Sequence, residues 1–148
     1  MKILLVSESF PPKIFGGGEI SAEALAKSLA ESGHKITVLT SHFPGLKKKE
    51  KKENLTILRL LKTGNNPHNL IENLKRQIYF TSSVKQNVKK LYDQKKFDII
   101  HCLNSSSIAG VSDLNLNIPK VATVNSYVNL CPKGNLFYKE KRPCNGCN

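Results

Sequence analysis

The sequence predicts an α/β protein built on a doubly wound, mainly parallel sheet. Three observations carry that expectation. Short aliphatic and β-branched runs at Lys2–Ser7, Lys35–Ser41, Leu55–Leu61, Phe97–Leu103 and Pro119–Val124 read as strands. The segment between the first two has the apolar period of a helix laid on a sheet. Strands and helical segments then alternate along the chain, and successive strands joined by a helix run parallel with a right-handed crossover.

The first strand is bounded by the turn Ser7-Glu8-Ser9-Phe10-Pro11-Pro12. The first helix is expected from about Glu19 to Ser32, with Ala22, Leu25, Ala26, Leu29 and Ala30 on the i, i+3, i+4, i+7, i+8 stripe. Glu19 falls in its first turn, where the helix dipole favours an acid, and Gly33 fits the position just past its end. His42 to Asn54 has no apolar periodicity and reads as a charged surface loop. The direction of the Leu55–Leu61 strand is open, because no crossover helix precedes it.

Thr63 to His68 is a turn-rich break, and Asn69 to Lys96 is helical, as one helix or two. Leu74, Ile78, Val84, Val88 and Leu91 would line one side, and Lys75, Arg76, Lys85, Lys89 and Lys90 the others. That pattern suits the outer helix of an α/β layer, with a helix lying on a membrane as the alternative. Ser105 to Leu116 should hold a short helix capped by one of its serines. From Asn129 to Asn148 neither strand nor helix is expected, which suggests the first part of a longer protein.

With 148 residues the chain is one domain by length, and its net charge of +12 is its compositional outlier. Such a charge suits an anionic membrane surface, an anionic substrate or nucleic acid. The lysines are not interleaved with aromatic residues, so stacking on single-stranded bases has little support. No stretch approaches the roughly 18 apolar residues needed to span a bilayer.

Gly16-Gly17-Gly18-Glu19, between the first strand and the first helix, is the stretch best suited to hold a phosphate. A helix N-terminus offers unpaired N–H groups and the positive end of the dipole, and glycine admits close approach. The spacing is not G-x-G-x-x-G, and the second strand ends in Thr40-Ser41 with no acid for a ribose, so a dinucleotide-dependent oxidoreductase is disfavoured. No Gly-Lys-Ser/Thr follows, so it is not a P-loop either. In such sheets ligands bind beyond the carboxyl ends of the strands, where Gly16–Gly18, Asn104–Ser106 and Asn125-Ser126-Tyr127 would meet.

Phe10-Pro11-Pro12, Gly16-Gly17-Gly18-Glu19, Leu25-Ala26 through Leu29, and Gly33-His34-Lys35-Ile36-Thr37-Val38-Leu39-Thr40 together resemble the start of the family 4 glycosyltransferases. Asp98-Ile99-Ile100-His101 is similar to that family's Asp-x-x-His, and Val121–Tyr127 stands where it has a strand ending in Thr-x-His-Asp. The resemblance implies the N-terminal half of a GT-B fold: a Rossmann-like, acceptor-side domain over residues 1–128, followed by an irregular segment over 129–148 and a C-terminal donor-binding domain. It implies a retaining transfer of a hexose from a nucleotide diphosphate sugar to a glycan or lipid-linked hydroxyl, needing no other cofactor. The enzyme would be cytoplasmic or peripheral at the inner face of the membrane.

Gly16, Gly17, Gly18, Asn104 and Ser126 are the candidate donor-binding residues. Asn125, the candidate catalytic residue, stands in place of the family's histidine; it can hydrogen-bond a sugar hydroxyl but cannot carry a proton. Leu103 departs from the family at a second histidine position. Glu23 and Glu31 have the spacing of the family's Glu-x7-Glu, but on the polar side of the first helix and in the wrong domain.

Cys102 lies in a strand and reads as inert core. Cys144-x2-Cys147 has metal-clip spacing, and Cys131 could add a third thiolate to a structural zinc, with free thiols as the alternative. The competing reading of the whole chain is a non-enzymatic basic module for anionic lipid or nucleic acid. Nucleic acid is not expected as a partner of the glycosyltransferase.

Overall fold

The computed structural model describes residues 1–63, 70–125, 127, 131, 135–139 and 142–145, with the backbone alone at 70–77 and 138. In chain order the elements are β1 (Lys2–Val6), α1 (Gly17–Glu31), β2 (Lys35–Ser41), β3 (Lys49–Lys52), β4 (Leu55–Leu61), α2 (Leu70–Gln94), β5 (Ile99–Cys102), α3 (Ser105–Ser112), β6 (Lys120–Ala122), β7 (Phe137–Tyr138) and β8 (Arg142–Pro143). The main sheet has six strands in the order β3-β4-β2-β1-β5-β6. Every pairing in it is parallel except that of β3 with β4.

Strand alternation divides the core between two faces. Leu4, Val6, Leu39, Leu58, Ile100 and Cys102 turn to the face covered by α2 and α3. Ile3, Leu5, Ile36, Val38 and Leu55 turn to the face covered by Ala22 and Ala26 of α1. The central strands are therefore buried on both sides, as a parallel sheet requires.

α1 starts two residues before the expected Glu19. Gly16 is its N-cap, and the Glu19 carboxylate accepts from the Gly16 N–H at 2.9 Å and the Phe15 N–H at 3.3 Å. That is the acidic half of a capping box, the half that needs no side chain at the cap. At the other end Gly33 adopts φ +84°, with its N–H on Ala30 O and the His34 N–H on Leu29 O. This double closure needs a left-handed residue, which glycine supplies without a Cβ penalty.

Several expectations are corrected. The charged stretch 42–54 is not all loop: β3 forms a hairpin with β4 through a turn at Glu53 (φ +44°). Its lysines leave no apolar period to read, and they suit an edge strand, where charge blocks pairing with another chain. β4 is parallel to β2.

The segment after residue 69 is one helix, with Phe80, Val84, Val88 and Leu91 buried. Ile78 is 71% exposed, because the stripe descends from Phe80, one helical step before Val84, and Ile78 falls off it. The Leu74 side chain lies outside the described residues, as does most of the Thr63–His68 break. The N-cap position of α3 is Asn104 and not a serine, and its side chain makes no capping hydrogen bond. Among the described residues of the tail, β7 pairs antiparallel with β8.

α3 crosses α2 at close range. A Cβ built on Gly110 would lie 2.5 Å from Val84 Cγ1 and 2.6 Å from Val84 Cβ. Gly110→Ala should therefore destabilise the chain by about 1–3 kcal/mol despite its better helix propensity. Urea unfolding checks this, and adding Val84→Ala should recover part of the loss.

Candidate functional site

The parallel strands deliver their carboxyl ends to one edge, and the loops there are tied together. The Ser7 N–H bonds Leu39 O, Ser41 N–H bonds Glu8 O, and Leu103 N–H bonds Val6 O, so the loops after β1, β2 and β5 leave the sheet in register. Phe10, 2% exposed, plugs the α1-side core and fixes the start of the proline turn, whose Pro11–Pro12 bond is cis. The turn then runs out to Ile14 and Phe15, which with Ile20 are about half exposed and flank the glycines. Phe15 meets Phe43 edge to face at 6.2 Å, and the Lys13 ammonium stands 5.0 Å from the Phe15 ring.

Gly16, Gly17 and Gly18 have no positive φ, and a Cβ on any of them would meet nothing within 4 Å among the described residues. Neither backbone strain nor packing among the described residues accounts for three consecutive glycines. What they provide is open space before the first turn of α1, where N–H groups have no intrahelical acceptor.

Glu8 organises the edge, and sequence reasoning passed over it. Its carboxylate accepts from Thr63 Oγ1 at 2.9 Å and from Ser106 Oγ at 2.7 Å. It thereby joins the loops after β1 and β4 to the first turn of α3. The signal available in the sequence was an acid placed directly after a buried strand, between Ser7 and Ser9.

Asn104 belongs to the same group: its Nδ2 donates to Ser106 Oγ at 2.8 Å, while its Oδ1 is buried without a hydrogen-bond partner among the described residues. Glu8→Ala would strip two hydroxyls of their charged acceptor and should lower stability by about 1–3 kcal/mol in urea unfolding. Glu8→Gln, which keeps an acceptor, should lose less.

Asn125 is exposed beyond β6, with Nδ2 3.5 Å from Leu103 O. Ser126 lies outside the described residues. His101 is paired in register with Leu5 and Val121, and its Nε2 shares a 2.7 Å hydrogen bond with Thr123 Oγ1. Burial holds its pKa below the ordinary histidine value.

Cys102 is buried, with its thiol against Ser107 O at 3.7 Å, and desolvation pushes its pKa up to about 11. It is an inert core thiol, as expected. Cys131 is buried and Cys144 half-buried; Cys147 lies outside the described residues. Among the described residues no three His, Cys, Asp or Glu side chains gather as a metal site.

Two further edge features bear on partners. Among the described residues no helix is long and apolar enough to cross a membrane. Tyr79 beside Ile78 is 59% exposed on α2.

The sequence profile of Glycosyltransferase Family 4 matches residues 15–144. An uncharacterized 42.6 kDa protein in the cps region of Klebsiella pneumoniae is 45% identical over 42 residues, 28% of this chain and 11% of that protein. Among solved structures, sucrose-phosphate synthase from Thermosynechococcus elongatus superposes with a TM-score of 0.62 at 20% identity, over 84% of this chain and 33% of that one. The catalytic domain of Starch Synthase IV from Arabidopsis thaliana, bound to ADP and acarbose, superposes with a TM-score of 0.64 at 16% identity, over 86% of this chain and 34% of that one. The chain thus spans about a third of the length of these two structures, and the likeness is one of fold.

Proposed function

The chain belongs to glycosyltransferase family 4, and from that membership we propose that it is the acceptor-side N-terminal domain of a retaining GT-B enzyme. The reaction is transfer of a hexose from a nucleotide diphosphate sugar to a hydroxyl of a glycan or lipid-linked acceptor. One observation supports this above the rest: Gly16–Gly18 leave free space at the N-terminus of α1, beyond the end of β1. The donor's diphosphate or sugar approaches that backbone, and N–H groups and dipole meet its negative charge.

Asn125, exposed beyond β6, supplies an amide for a sugar hydroxyl, whereas Asn104, whose Oδ1 is buried, positions the Ser106 hydroxyl through Nδ2. Glu8 acts through Thr63 and Ser106 as a positioning residue. The half-exposed Ile14, Phe15 and Ile20 border the cleft and face the C-terminal donor-binding domain. The groups that grip the nucleotide belong to that second domain, so this chain alone is inactive.

The enzyme works in the cytoplasm and touches the anionic inner face of the membrane through α2. Ile78 and Tyr79 are exposed there, with Lys85 and Lys89 further along the same helix. Zinc at Cys131, Cys144 and Cys147 rests on their spacing, and zinc content of the dialysed chain decides it. For the function itself, the test is consumption of a UDP-, GDP- or ADP-sugar by the chain joined to its partner domain.

A further inference from the structure

The opposite edge of the sheet, where the strands begin, carries a basic recess that the transfer reading does not use. Lys2 opens β1 and Lys35 opens β2, and the two are direct cross-strand partners. Like charges placed opposite each other on one sheet face repel. In the next row Thr37 pairs with Thr56, and Thr56 with Lys51 of β3. By the two-residue alternation of strands, these five side chains share the face that further along carries Leu4, Leu39 and Leu58. α2 covers that apolar part and stops at Gln94.

Between the end of α2 and the uncovered start of the sheet lies a recess of about 490 Å³. It is lined by Lys2, Lys35, Lys51, Lys95 and Lys96 from four different segments, with Glu53 as its one acid. Among the described residues none of the five ammonium groups is in an ion pair. Folding has thus gathered five ammonium groups around two threonines against one lining carboxylate, with the Asp98 carboxylate nearby on the Lys2 N–H at 2.6 Å.

We propose that this recess binds a compact, multiply charged phosphate anion. Lysines act as point charges toward phosphate, and threonine hydroxyls donate to its free oxygens. An anion seated there relieves the repulsion between Lys2 and Lys35 that the empty fold bears. A bilayer surface is too flat to enter a recess between a sheet face and a helix end. The inference is independent of the transfer reaction, since it concerns the far edge of the sheet and needs no donor sugar.

The test is titration of the 148-residue chain with pyrophosphate at constant ionic strength, followed by calorimetry and thermal unfolding. Saturable binding with a raised midpoint is expected. The paired substitution Lys2→Gln with Lys35→Gln should weaken it about tenfold or more. The charge-matched pair Lys48→Gln with Lys90→Gln, exposed and outside the recess, should leave it unchanged.

Thermal midpoints without pyrophosphate show that both pairs fold. Absence of saturable binding overturns the proposal. So does equal weakening by the two pairs, which would make binding a response to net charge. Binding of phosphatidylglycerol vesicles that depends on Lys2 and Lys35 but is not displaced by pyrophosphate would make the recess a membrane contact and overturn it as well.

Discussion

Replacing Gly17 or Gly18 by alanine should stabilise the folded chain while cutting sugar transfer by the joined enzyme about a hundredfold. The two effects have opposite signs for a physical reason. Both residues lie in the first turn of α1, and a Cβ on either meets open space. Alanine there removes unfolded-state freedom and improves helix propensity, for a gain of up to about 1 kcal/mol per site.

In the proposed function the donor uses that same space. A methyl group that displaces it by roughly an ångström costs on the order of 10²-fold in rate. Urea midpoints and initial rates of nucleotide release, measured on the same variants, check both halves. If the glycines served only the turn, stability and activity would fall together. A stabilised variant with full activity would remove the glycines from the site.

Arg59→Met should cost about 3 kcal/mol in urea unfolding, the largest effect expected of any single polar residue here. Arg59 is 1% exposed in β4, and its fork holds three segments at once. One terminal nitrogen donates to Pro11 O at 2.9 Å; the other bonds Lys47 O at 3.2 Å and the Glu50 carboxylate. Removing one partner of a buried charged network costs about 3–5 kcal/mol, and the partial exposure of Glu50 puts this case at the low end.

The loss of the Pro11 anchor should also loosen the turn that leads to the glycines, so the joined enzyme should show a higher KM for the donor. Arg59→Lys should rescue little, since one ammonium cannot reproduce a planar fork. A cost below about 1 kcal/mol would mean the turn is held by Phe10 alone.

The sheet was legible because its strands are buried on both faces, which writes them as short aliphatic runs. α1 was legible from its apolar stripe and from Gly33, whose left-handed conformation is the one expected past a helix end. β3 was not, because a charged edge strand is defined by its pairing with β4 and has no pattern of its own. Ile78 misled because a helix stripe read from five scattered residues has no fixed origin; Phe80 set it, and aromatic and aliphatic neighbours compete for it equally well.

The site shows the same division. The glycine loop is continuous in sequence and was visible there. Thr63, in the loop after β4, and Ser106, in the first turn of α3, are 55 and 98 residues from Glu8, and only the fold brings the three together. The role of Arg59 had no signal in the sequence, because its acceptors at Pro11 and Lys47 are backbone atoms.

The central claim, that this chain supplies the acceptor side and the open glycine edge of a sugar transferase, is tested most directly by joining it to its partner domain and measuring nucleotide release from UDP-, GDP- and ADP-sugars across glycan and lipid-linked acceptors. The account predicts acceptor-dependent release with one of these donors, a product of retained anomeric configuration, and no turnover by this chain alone. A folded joined enzyme that consumes none of the donors with any acceptor, or that transfers equally well with Gly17 and Gly18 replaced by alanine, would contradict it.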